Sequence, residues 1–325
     1  MPVLNNSTYK PSLLFKNNHF NTVYRTLFNK NVINFNRKRL ELEDGDFIDL
    51  DFSSVNSNKV IIAIHGLEGS SYSTYIQSIT TYANQKNYDV IAINLRGCSG
   101  EQNRLISSYH SGITHDLDAV IRHLEAAYTY DEINIIGYSL GGNISLKYAG
   151  EQGASISNKI ASVVGISVPC DLKASAEKIN TFSNKLYQKM FMQTLKKKAI
   201  TKTEAFPNSF LSKEKIRAAK SFKDFDDAYT APVHGFKNAE DYWKKCSCKQ
   251  FIPSIKVPSI LITALDDPFL KAPCYPFKEA TASKNLFMEA PNYGGHVGFG
   301  TSLNTRNNNW CEDRILSFIT EQSNY

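Results

Sequence analysis

The chain has 325 residues, 42% of them hydrophobic, and a formal net charge of +6. This length and composition suit one large α/β domain with an insertion. No apolar run approaches the roughly 18 residues of a membrane span, and no nucleic-acid-binding motif accompanies the positive charge. The polar segment from Met1 to Asn18 also lacks the apolar core of a signal peptide. We therefore expect a cytoplasmic protein with no integral membrane segment and no nucleic-acid partner.

The chain begins with a polar, Asn-rich stretch over residues 1–45, which we interpret as an extension packed on the core. Residues 47–52 partly alternate between apolar and polar and predict a half-exposed strand. Lys59–Ile64 is an apolar, β-branched run that predicts a buried strand. It leads into His65-Gly66-Leu67-Glu68-Gly69, an H-G-x-x-G loop whose glycines allow backbone N–H groups to face a site. We expect the N–H of Leu67 to donate to an oxyanion there, although a plain glycine-rich turn would show the same pattern.

Helices and strands then alternate. The predicted elements are a helix over 74–85, a strand over 89–94, a helix over 114–128, a strand over 133–136, a helix over 140–149 and a strand over 161–167. This rhythm predicts a mainly parallel sheet with helices on both faces. In such a sheet, ligands bind at the carboxyl ends of the strands.

The strand over 133–136 runs into Gly137-Tyr138-Ser139-Leu140-Gly141, which is G-x-S-x-G between a strand and a helix. A serine on such a turn is exposed above the sheet, and the flanking glycines avoid clashes in the tight turn. The pattern therefore predicts a nucleophilic Ser139. Leu140 would supply the second backbone N–H to the oxyanion.

The alternation stops over residues 169–255, which are largely helical and lysine-rich. We predict a cap inserted between core segments 46–168 and 256–325. The cap aromatics are expected to pack in a core rather than to contact an acyl chain. The lysines at 196–198 and the basic residues over 213–220 predict a solvated helix face, with attraction to an anionic surface as the alternative.

Two further loops complete the predicted site. Residues 257–264 read as a strand that leads into Asp266 and Asp267; we prefer Asp267 as the acid and keep Asp266 as the alternative. Residues 284–289 predict the next strand, followed by a G-G-H sequence that ends at His296. The order Ser139, Asp267, His296 is the order of nucleophile, acid and base in hydrolases of this type. A closing helix over 312–319 is predicted to pack on the sheet.

The six cysteines are scattered except for Cys246-Ser247-Cys248, and no second ligand pair stands at zinc-site spacing. We therefore expect free thiols, no metal and no cofactor.

Several motifs together resemble one known family. They are 65–70, 96–100, 109–112, the 137–141 turn, 225–227, 234–236, 266–269 and 294–299. On these residues the chain resembles the YheT-like branch of the α/β-hydrolases, which also includes membrane-anchored lipid hydrolases. The resemblance implies an α/β-hydrolase fold and a carboxylic-ester hydrolase. The membrane-anchored members carry an N-terminal apolar segment that this sequence does not show, and this departure argues against a membrane-lipid substrate.

Motifs and resemblance together predict a serine esterase that acts on a small-molecule or lipid ester through an acyl-enzyme. The alternatives are an acyltransferase that uses an alcohol in place of water, and a peripheral lipid or phospholipid hydrolase. The sequence leaves the substrate and the oligomeric state open.

Overall fold

A computed structural model describes residues 3–4, 6–28, 32–304 and 308–321. Parts of the predicted extension over 1–45 and of the core segment over 256–325 therefore lie outside the described residues.

The described residues form a nine-stranded sheet in the order β1-β9-β8-β7-β6-β4-β5-β3-β2. Strand β3 is antiparallel to β2 and β5, and the other described neighbours pair in parallel. The strands are β1 (Val3–Leu4), β2 (Asn36–Glu41), β3 (Phe47–Ser53), β4 (Lys59–Ile64), β5 (Asp89–Asn94), β6 (Glu132–Tyr138), β7 (Ile160–Ile166), β8 (Ser259–Ile262) and β9 (Leu286–Glu289).

Twelve α-helical segments lie within the described residues. They are α1 (Asn18–Phe28), α2 (Thr74–Gln85), α3 (Thr114–Ala127), α4 (Leu140–Gln152), α5 (Leu172–Ile179), α6 (Lys185–Ala205), α7 (Lys213–Ala218), α8 (Phe222–Phe225), α9 (Ala231–Val233), α10 (Ala239–Cys246), α11 (Phe277–Ala282) and α12 (Trp310–Thr320). A π-helical turn, Asp226–Thr230, follows α8. Helices α5 to α10 all lie between β7 and β8, so the predicted helical insertion interrupts the core at this point.

Both faces of the sheet are covered because side chains alternate along each strand. In β4, Ile62 and Ile64 pack in the apolar cluster that includes residues of α3 and α4. Ile61 and Ala63 pack in the cluster formed with α2 and α12. The central strands are buried on both sides, which explains their continuous apolar runs. The predicted fold class, a mainly parallel α/β sheet with a helical insertion, is confirmed.

Strand β3 differs from its prediction. The alternating sequence predicts a half-exposed strand, yet Phe47–Phe52 is buried throughout. The reason is the edge strand β2, whose arginines pair with the two β3 carboxylates: Arg39 Nε lies 2.8 Å from Asp49 and Arg37 Nε lies 2.7 Å from Asp51. Charge pairing across the strands thus replaces solvent on that face.

The N-terminal stretch contributes more than its composition indicates. Strand β1 pairs in parallel with β9, and β2 pairs with β3, so the stretch supplies both edges of the described sheet. Helix α1 packs near α2 and carries the buried residues Asn21, Tyr24 and Arg25. Strand β1 has only two residues and β2 is highly charged, so neither shows an apolar pattern from which a strand could be predicted.

A buried arginine holds the loops beside the carboxyl end of β5. Arg96 is 3% exposed, and its Nε and Nη2 atoms lie 2.8 and 2.6 Å from the two carboxylate oxygens of Asp116 in α3. Its Nη1 also donates to Asp44 at 2.7 Å and lies 3.3 Å from Asp46. Because Asp46 and Asp116 are themselves buried, their charges depend on this guanidinium.

We expect Arg96→Met to lower the free energy of unfolding by about 3–5 kcal/mol, because it leaves buried carboxylates without a cation. Chemical denaturation at neutral pH measures the change. The matched control is Arg122→Met in α3, since Arg122 is exposed and pairs with Asp118 one helical turn away. That substitution should cost no more than about 1 kcal/mol. Equal losses in the two variants would contradict the assignment.

Candidate active site

Ser139 lies on the turn that joins β6 to α4, with φ 53° and ψ −116°. A residue that carries a side chain rarely adopts these backbone angles, so contacts with the surrounding structure must hold the turn. A Cβ on Gly141 would lie 2.4 Å from the carbonyl oxygen of Ile64 in β4, and one on Gly137 would lie 2.2 Å from the carbonyl oxygen of Gly141. Only glycine fits at both positions, which is why the G-x-S-x-G spacing accompanies this turn.

The three predicted side chains form one chain of hydrogen bonds. His296 Nε2 lies 2.9 Å from Ser139 Oγ, and His296 Nδ1 lies 2.8 Å from Asp267 Oδ2. The Asp267 side chain is fully buried, whereas that of His296 remains 10% exposed. The backbone N–H of Phe269 donates to Asp267 Oδ1 at 2.8 Å, which fixes the carboxylate. The structure thus brings together residues that are 128 and 29 positions apart.

Asp266, the alternative acid, faces a different neighbour. Its Oδ1 accepts the backbone N–H of Gly295 at 2.9 Å, and its carbonyl oxygen accepts from Asn18 Nδ2 at 2.8 Å. Burial, together with the neighbouring Asp267 charge, raises the pKa of Asp266 to about 6. Asp267 is therefore the carboxylate at the histidine, and Asp266 holds the histidine loop.

Helix α1 also holds this loop, which the sequence did not predict. Thr22 Oγ1 accepts the backbone N–H of His296 at 2.9 Å. Gly295 has φ +61°, and a Cβ there would lie 2.6 Å from the carbonyl oxygen of Asn18. The loop therefore fits closely against α1. No motif marks Asn18 or Thr22, because the polar atoms of α1 serve here as partners for another segment's backbone.

The loop after β4 lies beside the serine: a Cβ on Gly66 would be 3.2 Å from Ser139 Cβ. His65 fixes this loop. Its Nε2 accepts the N–H of Leu95 at 3.2 Å, so its Nδ1–H donates to the Gly66 carbonyl oxygen at 2.7 Å. Burial lowers the pKa of His65 to about 4, which keeps this neutral tautomer at neutral pH. The hydroxyl of Tyr75 accepts the Gly66 N–H at 3.0 Å.

The two predicted oxyanion donors flank the same space. Leu67 and Leu140 both line the cavity that opens at Ser139. In the part of the chain that the structure describes, neither backbone N–H donates to a side chain. Neither donates to a backbone carbonyl oxygen in the turns and loops. Two unpaired N–H groups beside a serine can donate to a negatively charged oxygen.

The cavity lies between the turn and the helical insertion and is partly open to solvent; together with the solvent space at its mouth it measures about 910 Å³. Its walls are mainly apolar. Side chains of four insertion helices line it, among them Leu172, Ile179, Leu195, Phe222, Phe225 and Trp243. The last three aromatics pack in the apolar clusters of the insertion, as expected, and they also border the cavity.

A cluster of three polar side chains in the cavity wall, Glu68, Tyr109 and Lys198, links the insertion to the loop after β4. Tyr109 O–H donates to Glu68 Oε1 at 2.8 Å, and its oxygen accepts the Glu68 N–H at 2.8 Å. Lys198 Nζ of α6 lies 3.0 Å from the same carboxylate. The prediction of a solvated lysine face is therefore wrong for Lys198, which pairs with a buried acid.

A second buried carboxyl, Asp226, lines the cavity from the π-helical turn. Trp243 Nε1–H donates to its Oδ2 at 2.8 Å. Burial raises the pKa of Asp226 to about 7. Sequence reasoning did not assign this residue a role, although it stands within one of the motifs that carry the family resemblance.

Neither a metal site nor a membrane span is apparent within the described ranges. No group of three or more His, Cys, Asp or Glu side chains there is placed to bind a metal ion. All six cysteines are buried free thiols. No described helix combines the length and apolar character needed to cross a bilayer.

Comparison with known proteins agrees with this architecture. A family model described as the alpha/beta hydrolase fold matches residues 59–302. YheT of Escherichia coli is 32% identical over 94% of this chain and 91% of its own length. Phospholipase ABHD3 of Bos taurus is 24% identical over 96% of this chain and 78% of its own length. The solved esterase Pf2001 of Pyrococcus furiosus shares the fold, with a TM-score of 0.58, 15% identity, and coverage of 97% of this chain and 98% of that chain. The chain therefore belongs to the α/β-hydrolase family, in the branch that includes YheT.

Proposed function

We propose that the protein is a serine esterase with Ser139 as nucleophile, His296 as general base and acid, and Asp267 as the acid that orients the histidine. The observation that carries this proposal is the continuous hydrogen-bond chain from Ser139 Oγ through the imidazole to Asp267. A serine hydroxyl is a weak nucleophile until such a base removes its proton.

The geometry supports a two-step reaction. His296 Nε2 accepts the Ser139 proton as Oγ attacks the ester carbonyl, and the backbone N–H groups of Leu67 and Leu140 donate to the oxyanion that forms. Asp267 accepts from Nδ1–H and stabilises the imidazolium. His296 then protonates the leaving alkoxide, and the acyl group remains on Ser139. A water molecule, deprotonated by His296, attacks the acyl-enzyme, and His296 returns this proton to Ser139 Oγ as the carboxylic acid leaves.

The cavity supports an ester with an apolar acyl part. Its walls between α5, α6 and α10 are largely hydrophobic, and Ser139 lies at its boundary. Apolar contacts there would bind the acyl chain, while the oxyanion donors position the carbonyl. The phospholipase relative agrees with ester chemistry.

Lipid-ester hydrolysis is the second candidate. It is favoured by the phospholipase relative, which aligns over 96% of this chain, and by exposed apolar residues on α6 that are described below. Acyl transfer to an alcohol would use the same acyl-enzyme and stays a prediction; ester formation in the presence of added ethanol would measure it.

We expect Ser139→Ala to lower kcat for p-nitrophenyl esters by about 10⁴-fold or more, because the nucleophile is lost. A fluorophosphonate probe should label the wild type and not the variant. Ser108→Ala is the matched control, since Ser108 lines the same cavity and lies outside the triad. It should keep both activity and labelling. A folded wild type that hydrolyses no ester of any chain length, and takes up no probe, would refute the proposal.

The two neighbouring aspartates should separate clearly. Asp267→Asn is expected to lower kcat by about 10³–10⁴-fold, because the imidazole loses its orienting anion. Asp266→Asn keeps an oxygen that can accept the Gly295 N–H and should lower kcat by less than about tenfold. Steady-state kinetics of both variants on one ester decide between them. A larger loss in Asp266→Asn would reverse the assignment.

The acyl-chain preference should change when the cavity is filled. Ala176 of α5 lines the cavity, and Ala176→Phe would place a ring in the space for the acyl group. We expect kcat/KM for long-chain esters to fall by about tenfold or more relative to acetate esters. Glu177→Gln on the same helix, whose side chain pairs with Lys271 at 2.8 Å on the exposed side, should leave the ratio unchanged. An unchanged ratio in Ala176→Phe would place the acyl group elsewhere.

A further inference from the structure

The start of α6 exposes an apolar stripe. Phe182, just before the helix, is 91% exposed, and Leu186 and Met190 within it are 69% and 59% exposed. Leu186 and Met190 are four residues apart and lie on the same side of α6, and Phe182 stands in the short 3-10 turn Phe182–Asn184 that leads into the helix. Single exposed apolar residues are ordinary, but an aligned set of large ones marks an interaction surface.

The same segment is strongly basic. From Thr181 to Thr203 the chain has six lysines and no acidic residue. Lys196, Lys198 and Lys202 are used internally, on backbone carbonyls or on Glu68. Lys185 and Lys189 are exposed and have no ion-pair partner among the residues described by the structure. Uncompensated cations therefore flank the apolar stripe.

The stripe is close to the proposed active site. The ring of Tyr187, the residue next to Leu186, lies 4.9 Å from that of Phe269, and the Phe269 ring lies 4.4 Å from that of His296. The opposite side of α6 lines the cavity through Leu195 and Ala199. One helix thus presents its outer side to solvent and its inner side to the substrate space.

These features favour one occupant over another. In a symmetric dimer built on this stripe, Lys185 and Lys189 would approach their own copies, and like charges repel. A small anion would use the lysines and leave the apolar side chains in water. An anionic membrane surface satisfies both, because headgroups attract the lysines while apolar side chains enter the acyl boundary.

We propose that Phe182, Leu186 and Met190, with Lys185 and Lys189, form a docking surface for anionic lipid membranes. The surface would place α6, which also lines the cavity, against the bilayer that holds the ester. This inference rests on the proposed esterase function for its purpose, but membrane binding can be measured without catalysis. It also provides a membrane contact that does not need an N-terminal apolar segment.

The test is cosedimentation of the full chain with vesicles of phosphatidylcholine alone or with 30% phosphatidylglycerol. We expect binding to the anionic vesicles only, and its loss in high salt. Lys185→Gln/Lys189→Gln should weaken the partition coefficient by at least about tenfold. Phe182→Ser/Leu186→Ser/Met190→Ser should weaken it by a similar factor, since three apolar side chains no longer enter the bilayer.

The matched control is Lys256→Gln/Lys284→Gln, which removes the same charge. These exposed lysines precede β8 and β9, at the opposite end of the sheet from the site. Control binding should equal that of the wild type. Equal loss in the control would show non-specific charge attraction and overturn the docking surface. Binding at the wild-type level by Phe182→Ser/Leu186→Ser/Met190→Ser would also overturn it. A third contradicting result is a wild type that binds no lipid but forms a dimer, which these three substitutions abolish. Thermal melting verifies that each variant is folded.

Soluble p-nitrophenyl ester hydrolysis by the wild type tests the proposed function separately. Activity on the soluble ester without vesicle binding would refute the docking surface alone. Vesicle binding that depends on the stripe, in a protein with no esterase activity, would refute the esterase proposal and leave the surface standing.

Discussion

The proposed site depends on one close approach, that of the β6–α4 turn to the end of β4. Gly141 lies so near the Ile64 carbonyl oxygen that no side chain fits between them. This contact holds Ser139 in its left-handed conformation and brings it beside Gly66. Serine, oxyanion loop and helix terminus are therefore positioned by packing of the central strands. Strain at the serine is tolerated because the sheet around it is rigid.

The histidine loop is positioned by a different part of the chain. Its backbone N–H groups donate to Asp266, to Thr22 and, through Val297, to the Ser167 hydroxyl. Three segments far apart in sequence thus satisfy one short loop. These hydrogen bonds fix the backbone of the loop. The His296 side chain can therefore bridge Ser139 and Asp267.

Much of the core could be predicted because its signals are local. Apolar runs mark β4 to β9, and glycines with special backbone needs mark the turns near Ser139 and His296. The rest depends on partners that are distant in sequence. The alternating sequence of β3 is typical of a half-exposed strand. It is buried because the arginines of β2 lie opposite Asp49 and Asp51. Likewise, the sequence does not distinguish Lys198 from a surface lysine, because its partner Glu68 is distant in sequence. The two-residue strand β1 is too short for any periodic pattern.

The contacts of α1 bear on which part of the chain the proposed activity requires. The family pattern begins at residue 59, after β1, α1, β2 and β3. A protein trimmed to that boundary would keep the three proposed triad residues and both proposed oxyanion donors. It would lack Asn18 and Thr22, and it would expose the β5 edge that β3 covers. The proposed catalytic residues thus lie within residues 59–302, which the family model matches, while part of the framework that aligns them precedes that range.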